Sequence, residues 1–158
     1  MKIYLAGPLF TAAELAFNKN LATSLSEAGH DVFLPQEQSS GERTALSILR
    51  SLLEAIQLCD VVIANMDGPD PDSGTSWECG YAFGRDKPII AFRTDVRRDQ
   101  NENLGPYNLM MWASATARLD GPYPAMSKLA ADLLPLLNAP ALKREQSGQH
   151  TNLGTWRK

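Results

Sequence analysis

Short apolar runs alternate with stretches of helical periodicity along most of the chain. Five runs bounded by glycine, proline or polar residues are typical of buried strands, and they predict strands at 3–6, 31–34, 61–64, 88–92 and 117–119. Between them, apolar residues recur at spacings of three and four, as on one face of a helix. The three clearest stripes are Phe17, Leu21, Leu25 and Ala28; Leu46, Leu49, Leu53 and Ile56; and Met126, Leu129, Leu133, Leu136 and Leu137. Further helices are predicted at 77–85 and, as a short one, at 107–115.

This alternation of strands and helices predicts the fold class. Near-continuous apolar strands are typical of a parallel sheet covered by helices on both faces. The expected fold is α/β, a single-domain doubly wound parallel sheet of about five strands. We expect this domain to occupy residues 1–142, followed by a polar tail at 143–158, and the charged stretch 93–105 to be a surface loop.

Composition narrows the classes of function. A net charge of −3 and a pI of about 5.3 argue against a nucleic-acid backbone binder, which needs a basic face. Cys59 and Cys79 are too few for a disulfide framework or a zinc cluster, so a reducing cytoplasm is the simpler setting. Glycine and proline at positions 7 and 8 interrupt the apolar start before a signal peptide or membrane span develops.

Neither a metal nor a cofactor is expected. His30 and His150 lie far apart, and neither belongs to a pattern of metal ligands. The first loop lacks the GxGxxG fingerprint of dinucleotide binding, and no GxxxxGK[ST] phosphate-binding motif occurs in the chain.

The stretch after the third predicted strand carries the candidate chemistry. It reads DGPDPDSGTSWECGYA from position 67, and the ligand crevice of a doubly wound sheet lies beyond the carboxyl ends of its strands. Asp72 and Glu78 flank a loop-to-helix junction, and retaining glycosyl transfer uses two carboxyl groups about 5–5.5 Å apart. A structural alternative stays open, because Thr75 and Glu78 fit an S/T-x-x-E capping box. Asp67, Asp70 and Asp72 also suit a solvated turn.

Four motifs, in order, resemble the nucleoside 2-deoxyribosyltransferase family. They are KIYLAGPLF at the start, FLPQE after the second strand, the DxGTxxExGYA core and YNLM, and together they extend over residues 1–120. The resemblance implies a flavodoxin-like fold and transfer of 2-deoxyribose between nucleobases by double displacement with retention. It also implies deoxynucleosides and free nucleobases as the only partners besides copies of the chain itself, in a homo-oligomer whose active sites are shared between subunits.

The resemblance assigns roles to individual residues. Glu78 matches the nucleophile, Asp72 the acid that protonates the departing base, and Tyr4 a tyrosine that orients the nucleophile by a hydrogen bond. With that hydrogen bond and a helix N-terminus nearby, we expect Glu78 to be ionised at neutral pH. The substrate-binding positions implied are Gly7, Pro8, Gln36, Gln38 and Gly74, together with Asn108 and Met110 donated by a neighbouring subunit. For the two glutamines a solvated loop is an equal alternative.

One position departs from the family. Members often place Asp or Asn eight residues before the aspartate that precedes the third strand, where it helps to hold the sugar. Counted back from Asp60, that position is Leu52. Glu54 or another polar group would have to replace it, which leaves tolerance of a 2′-hydroxyl open.

The sequence leaves two alternative functions open. A related deoxynucleoside-monophosphate N-glycosidase would pass the sugar to water and would need a 5′-phosphate pocket, which Arg93, Arg97 and Arg98 favour. Asn108 favours a neutral 5′-hydroxyl instead, since a phosphate site would more naturally show Ser or Arg. The second alternative is a non-catalytic nucleotide-binding module on the same sheet.

Overall fold

The computed structural model describes residues 1–38, 44–95, 105–139 and 142. Within them, five strands alternate with five α-helices. They are β1 (Lys2–Ala6), α1 (Ala12–Glu27), β2 (Asp31–Phe33), α2 (Ala45–Leu58), β3 (Val61–Asn65), α3 (Ser73–Gly84), β4 (Ile89–Arg93), α4 (Leu109–Ser114), β5 (Ala117–Asp120) and α5 (Met126–Leu137). A 3-10 turn, Pro35–Glu37, follows β2. All five predicted strands are confirmed, each end to within one residue.

The strands form one sheet in the order β2-β1-β3-β4-β5, and every neighbouring pair is parallel. This is the flavodoxin-like order, so the predicted doubly wound fold is confirmed. The strand order reverses between β1 and β3, and in such sheets ligands bind outside the carboxyl ends of the strands at that point. The loops after β1 and β3, which include Gly7 and Asp72, lie at this edge.

Alternating side chains of β1 divide the core into two layers. Ile3 and Leu5 pack on one face of the sheet with residues of α1 and α5, whereas Tyr4 and Ala6 pack on the other face with residues of α2, α3 and α4. Side chains of a strand point alternately to opposite faces, so one residue's position decides its layer. Tyr4 is thereby directed to the face that carries the Glu78 helix.

Two predicted boundaries were wrong. Helix α3 begins at Ser73, four residues before the predicted start. Arg93 belongs to β4 and is 2% exposed, although it was expected in a surface loop. The apolar stripe of α2 is also buried only at its end, because Ile56 is fully buried while Leu46 remains 54% exposed.

Candidate active site

Asp72 begins the helix that presents Glu78. Its Oδ2 accepts hydrogen bonds from the Thr75 backbone N–H at 2.9 Å and from the Thr75 hydroxyl at 3.2 Å, so Asp72 is the N-cap of α3. The capping box expected from Thr75 and Glu78 is therefore not formed, because the helix has already begun one turn earlier. Thr75 is buried in the first turn, and Glu78 lies inside the helix, where a capping role is excluded.

Tyr4 and Glu78 make a direct hydrogen bond. The Tyr4 hydroxyl donates to Glu78 Oε1 at 2.7 Å. Tyr4 is fully buried, and its ring stacks on Phe33 with the centroids 5.4 Å apart and the planes at 13°. Burial and then the neighbouring Glu78 carboxylate raise the pKa of Tyr4 far above its usual range. The phenol is therefore a fixed hydrogen-bond donor and not an acid at any working pH.

Burial dominates the ionisation of Glu78. Its side chain is half-buried, and this desolvation raises its pKa to about 7. The Tyr4 hydrogen bond lowers the pKa and the charge of Asp72 raises it, but both effects are smaller than that of burial. Glu78 was expected to be ionised at neutral pH, but burial opposes this ionisation by raising its pKa to about 7.

Asp72 keeps one carboxylate oxygen available. Oδ2 is engaged by Thr75, whereas Oδ1 has no hydrogen-bond partner among the described residues. A Cβ at Gly74 would lie 3.1 Å from Asp72 Oδ2. Glycine at this position therefore leaves room for the carboxylate to cap the helix, which is a local reason for a residue that the resemblance assigns to substrate binding.

Asn18, which sequence reasoning missed, holds the loop after β1 in place through a hydrogen bond from its buried side chain. Asn18 is 2% exposed, and its Nδ2 donates to the Pro8 carbonyl at 3.0 Å and to Gln36 Oε1 at 3.4 Å. A Cβ at Gly7 would lie 3.2 Å from Asn18 Oδ1, so the loop passes very close to this side chain. The sequence did contain a signal that this polar side chain is buried, since Asn18 lies three residues before Leu21 on the apolar face of α1.

The two glutamines differ in their surroundings. Gln36 Nε2 donates to the Leu15 carbonyl at 2.8 Å, so its amide fastens the 3-10 turn to α1. Gln38 is exposed and lines a cavity of about 370 Å³ between β1, β2 and α2. Phe33, the stacking partner of Tyr4, and Glu54 line the same cavity. Both glutamine amides bond within the fold, since Gln38 Nε2 donates to the Leu34 carbonyl at 3.4 Å, but Gln38 and Glu54 also border this cavity.

Asn108 and Met110 face outward. Asn108 Oδ1 accepts a hydrogen bond from the Met110 backbone N–H at 2.9 Å, which makes Asn108 the N-cap of α4. Met110 is 71% exposed, and no hydrogen bond joins either residue to Tyr4, Asp72 or Glu78. Within one copy of the described chain, α4 packs against α3, but neither residue is joined to the carboxylate pair.

Arg93 does not provide a surface anion site. Its guanidinium donates to the Met66 carbonyl and, through Nη2 at 2.8 Å, to the Gly68 carbonyl. Arg97 and Arg98 lie outside the described residues. Sequence reasoning thus missed Arg93 as a structural residue, because a charge at the end of an apolar run resembles the start of a loop.

Metal clusters and membrane-spanning helices are both missing from the part of the chain that the structure describes. No group of three or more His, Cys, Asp or Glu side chains is placed to hold a metal ion there. In the same residues, none of the helices combines the length and apolar composition needed to cross a bilayer.

Comparison with known proteins identifies the family. The chain matches the family model for nucleoside 2-deoxyribosyltransferase over residues 3–111. A conserved protein from Enterococcus faecalis V583 has a similar structure, with 25% identity and a TM-score of 0.70 over 85% of this chain and 98% of that one. The 2-deoxyribosyltransferase from Bacillus psychrosaccharolyticus is also similar, with 26% identity and a TM-score of 0.66 over 82% of this chain and 90% of that one. The 2-deoxyribosyltransferase from Leishmania mexicana has 29% identity and a TM-score of 0.57 over 70% of this chain and 84% of that one. Among curated proteins, no relative matches. The chain belongs to the nucleoside 2-deoxyribosyltransferase family.

Proposed function

We propose that this protein moves 2-deoxyribose from one nucleobase to another through a covalent intermediate on Glu78. One observation carries the proposal: a glutamate oriented by a buried tyrosine lies within electrostatic reach of a second carboxylate, at the edge formed by the carboxyl ends of the strands. Membership of the family adds the substrate class, and two of the similar structures are 2-deoxyribosyltransferases.

In the first half-reaction, the Glu78 carboxylate attacks C1′ of the donor nucleoside. The bond from C1′ to the base nitrogen breaks, its electron pair goes to the base, and the Asp72 carboxyl group gives that base a proton. Positive charge develops on the sugar in the transition state, and the adjacent carboxylate stabilises it before forming the ester. The Tyr4 hydroxyl holds Oε1, which leaves Oε2 to attack.

In the second half-reaction, a nitrogen of the acceptor base attacks C1′. The ester bond breaks, Glu78 is released as a carboxylate, and Asp72 accepts the proton that the acceptor loses. Each half-reaction inverts C1′, so the overall transfer retains its configuration.

The outward-facing residues of α4 fit a site shared between copies of this chain. Asn108 and Met110 are exposed, and the resemblance assigns them to the active site of a neighbouring subunit. In this proposal the amide of Asn108 meets the region of the 5′-hydroxyl and Met110 forms an apolar wall. A mixture of two inactive variants, Glu78→Gln and Asn108→Ala, should regain part of the transfer activity when subunits exchange. Mixtures that stay inactive after exchange is demonstrated would contradict the shared site.

Transfer is favoured over hydrolysis of a nucleoside monophosphate. Of the three arginines that suggested a 5′-phosphate pocket, Arg93 is buried against backbone carbonyls. Asn108 remains the residue expected to meet the 5′ position, and an amide suits a hydroxyl better than a phosphate.

The test is product chromatography after incubation with deoxyinosine or thymidine, each with and without adenine. Deoxyadenosine that appears only with adenine supports transfer, and Glu78→Gln should form none. Equal release of the base with and without adenine would identify water as the acceptor and establish the hydrolase instead. In the absence of acceptor, intact mass after acid quenching should show one added deoxyribosyl group on the wild type and none on Glu78→Gln. Nucleoside binding without turnover by either protein would identify a binding module.

A further inference from the structure

The loops that follow β3 and β4 are joined by reciprocal hydrogen bonds. The Asp67 carboxylate accepts the backbone N–H groups of Thr94 at 2.6 Å and Asp95 at 2.7 Å, and also the Thr94 hydroxyl at 2.6 Å. In the opposite direction, the Arg93 guanidinium donates to the carbonyls of Met66 and Gly68. We call these two side chains, with their bonds, the Asp67–Arg93 clamp. It fixes the first residues of the loop that leads to Asp72.

Arg93 also contacts the segment before α4. Its guanidinium carbon lies 5.9 Å from the centroid of the Tyr107 ring. Tyr107 is buried and meets Trp112 edge to face, with the ring centroids 5.6 Å apart. Tyr107 immediately precedes Asn108, the N-cap of α4. One side chain therefore touches both the loop that ends in Asp72 and the residue next to Asn108.

The burial of Arg93 limits its role to action through other residues. It is 2% exposed, so its charged group is withdrawn from solvent. A buried cation is tolerated only where it is hydrogen-bonded, and loss of geometry around it is costly. A guanidinium fork can bind two carbonyls at once, whereas an ammonium group is a single point charge. Lysine could keep the charge but not both bonds in the same geometry.

We propose that Arg93 is a positioning residue for the leaving-group step, because it holds the loop that places the Asp72 carboxyl group. The inference rests on the proposed function and extends it. Glu78 depends on this loop less than Asp72 does, since it lies inside α3 and is held by Tyr4 from β1. Weakening the clamp should therefore impair protonation of the departing base more than the nucleophilic attack.

Two donor nucleosides distinguish a loss of base protonation from a loss of nucleophilic attack. Deoxyguanosine needs a proton on its base, whereas 7-methyl-2′-deoxyguanosine already carries a positive charge on the base and its leaving group departs without one. The rate to measure is base release in a single turnover, with protein in excess and no acceptor. Arg93→Lys should slow release from deoxyguanosine by about 10- to 100-fold, the loss that a small displacement of a catalytic group produces. Release from the methylated donor should change little.

Arg118→Lys is the matched control. Arg118 also stacks on an aromatic ring, with its guanidinium carbon 4.6 Å from the centroid of Trp112, and its Nε donates to the Trp112 carbonyl at 2.6 Å. Both interactions are made with Trp112 of α4, and neither involves the loop between β3 and α3. The ratio of the two donor rates should therefore be the same for Arg118→Lys as for the wild type.

A second variant weakens the clamp without unpairing a buried cation. Asp67→Asn should lose part of the bonding to Thr94 and Asp95, and it should show the same selective loss on deoxyguanosine. Equal slowing of both donors in folded Arg93→Lys and Asp67→Asn, or no slowing, would overturn the positioning role. A wild-type protein that releases neither base would instead refute the proposed function.

Discussion

Removal of the Tyr4 hydroxyl should shift the pH at which the nucleophile becomes active. Tyr4 donates to Glu78 at 2.7 Å, and this bond favours the carboxylate against the effect of burial. The Tyr4→Phe variant keeps the buried ring that stacks on Phe33 and loses only the donor. Glu78 would then be desolvated without compensation, so its pKa should rise further.

The magnitude follows from the strength of a hydrogen bond to a charged group. Such bonds contribute about 1.5–3 kcal/mol, which corresponds to about one to two pKa units. Glu78 begins at a pKa of about 7, so the variant should titrate at about 8–9. Because attack requires the carboxylate, the rate is lost as pH falls through this pKa. The variant should be about 5- to 50-fold slower than the wild type at pH 7, about 10- to 100-fold slower well below pH 7, and should recover most of its rate in alkaline solution.

The assay is kcat/KM for base release between about pH 5 and pH 10, since its pH dependence reports ionisations of the free enzyme. Tyr81→Phe is the control, because Tyr81 lies on the same helix and its hydroxyl accepts a bond from Gln57 Nε2 at 2.6 Å, whereas the Tyr4 hydroxyl is the one that donates to Glu78. Its acid limb should coincide with that of the wild type. An unshifted limb in Tyr4→Phe, or a loss equal at every pH, would refute the assigned coupling of Tyr4 to Glu78.

Three further substitutions test the site and its support. Glu78→Gln should abolish transfer but stabilise the protein above neutral pH. Burial raises the carboxyl pKa from 4.5 to about 7, so wild-type stability falls across that interval as pH rises. The gain in melting temperature should be larger at pH 8 than at pH 5, and equal gains would contradict this reasoning. Asp72→Ala should lose about 1 kcal/mol of unfolding free energy in urea through the lost N-cap, whereas Asp72→Asn should retain it, and both should lose transfer. Gly105→Ala should cost more than about 1 kcal/mol, because φ is +94° and the new Cβ would lie 2.7 Å from Trp112 Cγ; an unchanged urea midpoint would argue against this.

The sheet could be predicted almost to the residue, whereas the start of α3 could not. Fully buried parallel strands are continuous apolar runs, and turn residues mark their ends. The first turn of α3 consists of Ser73, Gly74 and Thr75, which are weak helix formers, so the periodic signal starts only later. The capping box suggested by the sequence begins at Thr75, whereas the structure places the N-cap at Asp72.

Local sequence was enough to propose the two carboxylates as candidates but not to find the residues proposed to position them. Asp72 and Glu78 lie in one motif, while Tyr4 is 74 residues away from its partner and entered only through the resemblance. Arg93 was misread as a loop residue, because the carbonyls that bind it belong to the backbone of another loop. Backbone acceptors leave no mark in the sequence, so a buried arginine of this kind is found only in the structure.

The position of Glu78 links the stability of the fold to its chemistry. Burial makes the carboxylate unfavourable in the resting protein, as the raised pKa shows. In the proposed reaction, a positive charge develops on the sugar beside Glu78 in the transition state, and an opposite charge favours the ionised form. The stabilisation is therefore larger in the transition state than in the resting protein, which is the condition for accelerating the reaction. A more solvated glutamate would be ionised at lower pH, but water would screen its attraction for the sugar, so the raised pKa and the catalytic advantage have the same cause.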